Sequence, residues 1–218
     1  MSNILKAARL DLSLVKTHWW NTLFVMLFPV VFSVMNRSLV FGVSFTMCFI
    51  GMITTNNTFY ISEKNAMERL YGTLPVSKKD MVFGRYLYTC ALGITALFFS
   101  LVFHSFVLHA FAVVDLTAED IITSALTGIV MFTLYTVFCL PAYYKFGAVK
   151  GRFFMFIPMA GYMALLWLIS NFNAELDPVF LEFINKPVIF IAAVLIVCII
   201  AFSISILISV RILKNKEV

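Results

Sequence analysis

Six stretches of this chain, at about 19–35, 39–59, 84–112, 121–144, 153–170 and 187–210, are long and apolar enough to cross a bilayer, which takes about 20 predominantly apolar residues. In lipid every backbone N–H and C=O must find a partner inside the protein, so the stretches are read as helices. The chain is therefore expected to be an all-α integral membrane protein. Composition agrees, because 62% of the 218 residues are hydrophobic and only 12% are charged, far from a soluble average. Six spans, being even in number, put both termini on one side.

The placement of Lys and Arg decides which side that is. Fourteen of the sixteen lie in the N-terminal segment, the 56–85 loop, the loop after the fourth span and the tail, against only Arg37 and Lys186 elsewhere. The termini and the central loop are therefore expected to be cytoplasmic. Six of the eleven acids fall on the opposite side, consistent with that orientation. The net charge of +5 then needs no nucleic acid to explain it, because anionic inner-leaflet lipid and the insertion rule place these cations. Cys48, Cys90, Cys139 and Cys198 all sit inside apolar stretches at wide spacing, which suggests packing rather than disulfides or metal binding.

The longest polar run, Asn56 to Arg85, separates the second and third spans and holds eight of the charged residues. Asn65 with Glu68 spells an N-cap and capping-box partner, and Gly72 stands where a short helix would end. Leu74-Pro75 makes a turn, and Ser77 with Asp80 repeats the cap at the start of the third span. Ahead of the first span, residues 3–16 form an amphipathic helix with Lys6, Arg9, Ser13 and Lys16 on one arc, suited to the inner interface. Asp11 breaks its apolar arc, either as a contact to a neighbouring element or as a side chain reaching the headgroups.

Within the spans, Pro29 is expected to kink the first. Ser44, Cys48, Gly51, Thr55 and Thr58 form a small-residue stripe along the second, read as a packing face or a substrate path. His104 and His109 are at i, i+5 and share a face poorly, which argues against a metal site or proton relay. Ala201, Ser205 and Ser209 form a small-residue seam in the last span, and residues 171–186 read as a short amphipathic or re-entrant outer segment.

These features together, with the loop sequence EKNAMERLYGTLPVSKKDMVFGRY at Glu63 to Tyr86, resemble the membrane subunit of an ABC-2 type exporter. The architecture matches over 1–218 as a single transmembrane domain, with 1–18 interfacial, 60–82 as the cytoplasmic coupling loop and 171–186 outside. In size the chain is similar to permeases that export amphipathic peptides, such as phenol-soluble-modulin exporters. The resemblance implies a multi-pass protein of the bacterial cytoplasmic membrane that pairs with a second permease subunit, identical or not. Separate ABC ATPase subunits would bind ATP and Mg and dock below, and the cargo would be an amphipathic peptide, antimicrobial or lipid-like molecule. It assigns Glu63, Glu68, Arg69, Leu70, Gly72, Leu74 and Pro75 to ATPase coupling, and Thr54, Thr55, Asn57 and Phe59 to the substrate path.

The sequence agrees that ATP hydrolysis belongs to another polypeptide. No GxxxxGKS or GxxxxGKT phosphate loop occurs, and the run from Gly147 to Arg152 lacks both its spacing and its Lys-Ser/Thr pair. Hence no enzymatic role and no cofactor are expected of this chain itself. Two other classes stand beside export: a non-transporting membrane partner of an ATPase in sensing or immunity, and a membrane-embedded enzyme. Against the latter, no HExxH occurs.

Overall fold

The computed structural model describes residues 3–16, 20, 24, 27–65, 77–112, 115–161, 164 and 187–215. Among these the structure is helical throughout, with no strand. The helices are α1 (Asn3–Val15), α2 (Val30–Asn36), α3 (Leu39–Lys64), α4 (Lys78–Val107), α5 (Ala118–Gly151) and α6 (Pro187–Asn215). Helix α4 continues as a π-helical turn over Leu108–Ala112, and α5 as a 3-10 turn over Arg152–Met155.

Four of the described helices are long and apolar enough to span a membrane: Leu39–Lys64, Lys78–Phe111, Ala118–Gly161 and Pro187–Asn215. They coincide with the second, third, fourth and sixth expected spans. Much of the first and fifth expected spans lies outside the described residues, as does the 171–186 segment. At Pro29, expected to kink the first span, helical residues at 24 and 27 give way to a turn, and α2 begins immediately after it. Proline suits a helix start, where its missing N–H costs no intrahelical bond.

Capping fixes where two of the long helices begin. Ser77 Oγ accepts the Asp80 N–H at 3.1 Å, as its spacing implies. At α5 the box is reciprocal: Thr117 Oγ1 accepts from Asp80's counterpart, the Asp120 N–H, and Asp120 Oδ2 accepts the Thr117 N–H at 2.9 Å. Helix ends do not follow hydropathy as closely. The second apolar stretch ends near residue 59 and the third begins near 84, yet α3 runs to Lys64 and α4 begins at Lys78. Both helices thus carry polar side chains beyond the apolar zone in a rigid frame.

Helix α3 is the hub of the bundle, packing most extensively on α5 and α4 and also touching α1 and α2. Its small-residue stripe serves close contact: Ser44, Thr55 and Thr58 are buried, and a Cβ on Gly51 would stand 3.1 Å from Tyr135 Cβ of α5. Helix α6 lies at the edge, and only Ser205 and Ser209 among its described residues are buried. These two serines face Tyr86 of α4, whose hydroxyl lies 2.6 Å from Ser205 Oγ and 2.9 Å from Ser209 Oγ. Ser205 also donates to the Val137 carbonyl of α5 at 3.0 Å. The seam is a polar clasp as well as a close-packing face.

Interhelical hydrogen bonds in membranes are worth about 0.6–1.7 kcal/mol each. Tyr86→Phe, which keeps the ring and removes the hydroxyl, should therefore lower stability by about that amount per lost bond. Thermal unfolding in a fixed detergent measures the loss, and Ser209→Ala should show little further loss in the Tyr86→Phe background, whereas Ser205→Ala should still lose its bond to Val137.

Candidate functional site

Two features that hydropathy alone would forbid meet where α1, α3, α4 and α5 converge: a buried cation and a buried anion. Arg85 of α4 is 6% exposed and Asp11 of α1 is 3% exposed. Arg85 Nε donates to Asp11 Oδ2 and Nη2 donates to Oδ1, both at 3.2 Å, so the pair is bidentate. Nη2 also donates to Ser62 Oγ of α3 at 3.2 Å. The guanidinium lies 4.3 Å from the centre of the Phe59 ring and 5.7 Å from that of Tyr144, on α3 and α5. Phe59 in turn stacks on Tyr143 at 5.1 Å and meets Tyr144 edge-on at 4.9 Å. One guanidinium therefore touches all four helices.

The close approach of α1 to α4 depends on the neighbouring Gly84. A Cβ there would lie 2.6 Å from Ala7 Cβ and 2.9 Å from the Ile4 carbonyl oxygen. Beside the ion pair sits a cavity of about 70 Å³ bordered by Asp11, Arg85, Ser62, Glu63 and Tyr143. Its wall is polar on one side and aromatic on the other.

The second feature is a break in α5. Gly147 has φ 76° and ψ −179°, a conformation open in practice only to glycine. The break turns the next N–H, that of Ala148, toward Glu63 at the end of α3, and Glu63 Oε1 accepts it at 2.6 Å. A Cβ on Gly147 would stand 2.5 Å from that same oxygen. One turn earlier on α5 and two turns earlier on α3, Tyr143 Oη donates to Asn56 Oδ1 at 3.3 Å. The last two turns of α3 are thus tied to α1 and α4 through Arg85, and to α5 through Tyr143 and Ala148.

Of the residues assigned from sequence to ATPase coupling, Glu63 is described, with a carboxylate oxygen committed to Ala148. Glu68, Arg69, Leu70, Gly72, Leu74 and Pro75 lie outside the described residues, and with them the short helix expected after Asn65. Asn65 itself closes α3, its N–H donating to the Ile61 carbonyl at 3.0 Å. The four substrate-path residues do not line one cavity. Thr54 borders a groove between α1 and α4, Thr55 is fully buried with its hydroxyl on the Gly51 carbonyl, Asn57 is half-buried, and Phe59 lies beneath Arg85.

The histidines diverge too: His104 is buried with Nε2 3.2 Å from Thr46 Oγ1, whereas His109 is exposed on the π-helical turn. No cluster of His, Cys, Asp or Glu suited to a metal occurs among the described residues. Sequence reasoning missed Arg85, Ser62, Tyr143, Tyr144 and Gly147 as parts of a site. It singled out Asp11 only as an exception to an apolar arc, and that exception resolves in favour of a neighbouring element, since Asp11 is paired and buried rather than reaching the headgroups.

Breaking a buried ion pair from one side leaves an uncompensated charge and costs about 3–5 kcal/mol, whereas replacing both partners with neutral groups is often tolerated. Asp11→Asn should therefore destabilise the protein by several times more than Asp11→Leu/Arg85→Met, as read by thermal unfolding in one detergent. For the break in α5, Gly147→Ala should cost about 1–3 kcal/mol through the forbidden backbone geometry. Glu63→Ala should leave overall stability less affected but raise amide exchange at Ala148, while Glu63→Gln, which retains an acceptor oxygen, should preserve much of the protection.

The comparisons with known proteins agree with this architecture of long apolar helices joined by polar ends. No curated protein matches the chain. The family described as ABC-2 family transporter protein matches residues 9–214, from the second turn of α1 to the last turn of α6. With nearly its whole length covered, the chain belongs to the ABC-2 family of transporter membrane proteins.

Proposed function

We propose that this chain is the permease subunit of an ABC exporter in which the end of α3 passes motion from a separate ATPase to the membrane helices. The reading is carried by one observation: Ser62 and Glu63, in the last turn of α3, are bonded to α4 and α5. A helix end held this way cannot shift without moving its neighbours. Docking of an ATPase on the loop, through Glu68, Arg69, Leu70, Gly72, Leu74 and Pro75, would displace α3 and α4 together, because Arg85 joins them. Helix α1 would follow through Asp11, and α5 would flex at Gly147.

Such a device works by bias rather than by push alone. ATP binding can shift a two-state permease only by as much as it favours one state over the other, so the connection between dock and span must be stiff. The charge-assisted bonds of Arg85 and Glu63 supply that stiffness. Two permease subunits with two ATPases complete the transporter, with ATP and Mg held by the ATPases and the cargo path at the permease interface. The apolar, Phe-rich surface of the spans suits an amphipathic peptide or lipid-like cargo, and the membrane is the bacterial cytoplasmic one.

The test is co-purification with a candidate ABC ATPase from the same source, followed by ATP hydrolysis in lipid nanodiscs. A stable complex with altered turnover is expected. Glu68→Lys/Arg69→Glu should lose the ATPase while leaving membrane insertion intact. Glu63→Ala should keep the ATPase bound yet weaken the response of hydrolysis to cargo. Failure to associate in several lipids would overturn the transporter reading in favour of another membrane role.

A further inference from the structure

A groove of about 800 Å³ runs between α1 and α4 over a floor formed by Ile50 and Thr54 of α3. Its walls are apolar, with Leu12 on one side and Leu87, Ala91, Phe98 and Phe99 on the other. Only two of its lining residues are charged, and both are cations: Arg9 and Lys16, exposed on α1. They stand seven positions apart on one helix, about 10 Å in rise, both on the α1 side of the groove. From Leu87 to Phe99 the groove follows α4 for about 18 Å, comparable with half the roughly 30 Å hydrocarbon core.

Cations on the α1 side and hydrocarbon along the rest complement an anionic lipid. We propose that the groove binds one anionic phospholipid, its phosphate between Arg9 and Lys16 and an acyl chain along α4 from Leu87 toward Phe99. The volume lies within the range of about 300–1,000 Å³ typical of specific small-molecule sites. A peptide fits less well. Its backbone N–H and C=O groups would need partners in a largely apolar trough, and the Thr54 and Thr95 hydroxyls already donate to the Ile50 and Leu92 carbonyls of their own helices. Cationic peptides would also meet Arg9 and Lys16.

The lipid would act on the same helix that carries Asp11. Arg9 and Lys16 flank Asp11 along α1, so a headgroup held by the two cations favours the position in which Asp11 meets Arg85. The inference goes beyond the transporter reading and does not depend on it, since it concerns the isolated chain and its lipid.

The experiment is native mass spectrometry of the full chain in detergent, offered phosphatidylglycerol and phosphatidylcholine of identical acyl chains. Retention of one phosphatidylglycerol per chain, in preference to phosphatidylcholine, is expected. Arg9→Gln/Lys16→Gln should weaken retention about 30-fold, from the usual attraction of two basic side chains near an anionic headgroup. Lys6→Gln/Lys214→Gln removes the same charge outside the groove and should leave retention unchanged. Ala91→Trp, which fills the trough without altering charge, should abolish it. Equal retention of the two lipids, equal loss in the two charge-removal pairs, or undiminished binding in Ala91→Trp would each overturn the proposal. So would competitive displacement of the lipid by an amphipathic peptide, which would make the groove a cargo site. Absence of an associated ATPase would leave every one of these outcomes readable.

Discussion

Arg85 cannot be buried alone. Removing a guanidinium from water carries a penalty of several kcal/mol that only good geometry and a full set of acceptors can offset. That condition dictates the arrangement around it. Asp11 comes from α1 to supply two acceptor oxygens, Ser62 comes from α3 to supply a third, and Phe59 and Tyr144 offer ring faces. Helix α1 is thereby fixed in register against α4, and Gly84 gives it the space to approach. The ion pair supplies specificity of position more than net stability, since an apolar replacement of the whole pair is often tolerated where loss of one member is not.

The break at Gly147 obeys the companion rule for the backbone. A turned peptide group near the membrane needs a partner within the protein, and Glu63 provides it for Ala148. Glycine and carboxylate are thus interdependent: the backbone conformation presents the N–H, and the absence of a Cβ gives the carboxylate room. Both constraints converge on the final turn of α3, through Ser62 on one side and Glu63 on the other. Helix α6 is held differently, by two serines clasped by Tyr86 and by Phe202, Ile206 and Val210 packed on the core.

Much of the fold could be read from the apolar runs, because satisfying the backbone in lipid leaves few alternatives to a helix. The cap at Ser77 was legible for a similar reason, a short-range hydrogen bond between residues three apart. Helix ends were not, since hydropathy marks where a chain leaves the lipid and not where its helix stops; Ser62 and Glu63 lie in that gap. Arg85 read as one more topological cation, and Asp11 as a flaw in an amphipathic pattern. Only their meeting across 74 positions turns two exceptions into a bond. Gly147 was legible as part of a failed phosphate loop, while its positive φ and its carboxylate partner 84 positions away in the chain depend on the packing of α3 against α5.

The order of these residues along the chain gives the site its mechanical sense. Residues 66–76 are bracketed by Glu63 before them and Arg85 after them, each bonded to a different helix. A force applied to that segment in the proposed transporter would reach α5 through the first bracket and α1 through the second, and Arg85 with Ser62 closes the two into one unit. The helix that would receive most of this motion, α3, packs on α5, α4, α2 and α1, whereas α6 packs mainly on α5, with Phe202, Ile206 and Val210 against the core. Motion entering at the end of α3 would therefore pass into the core first and reach α6 through α5 and Tyr86.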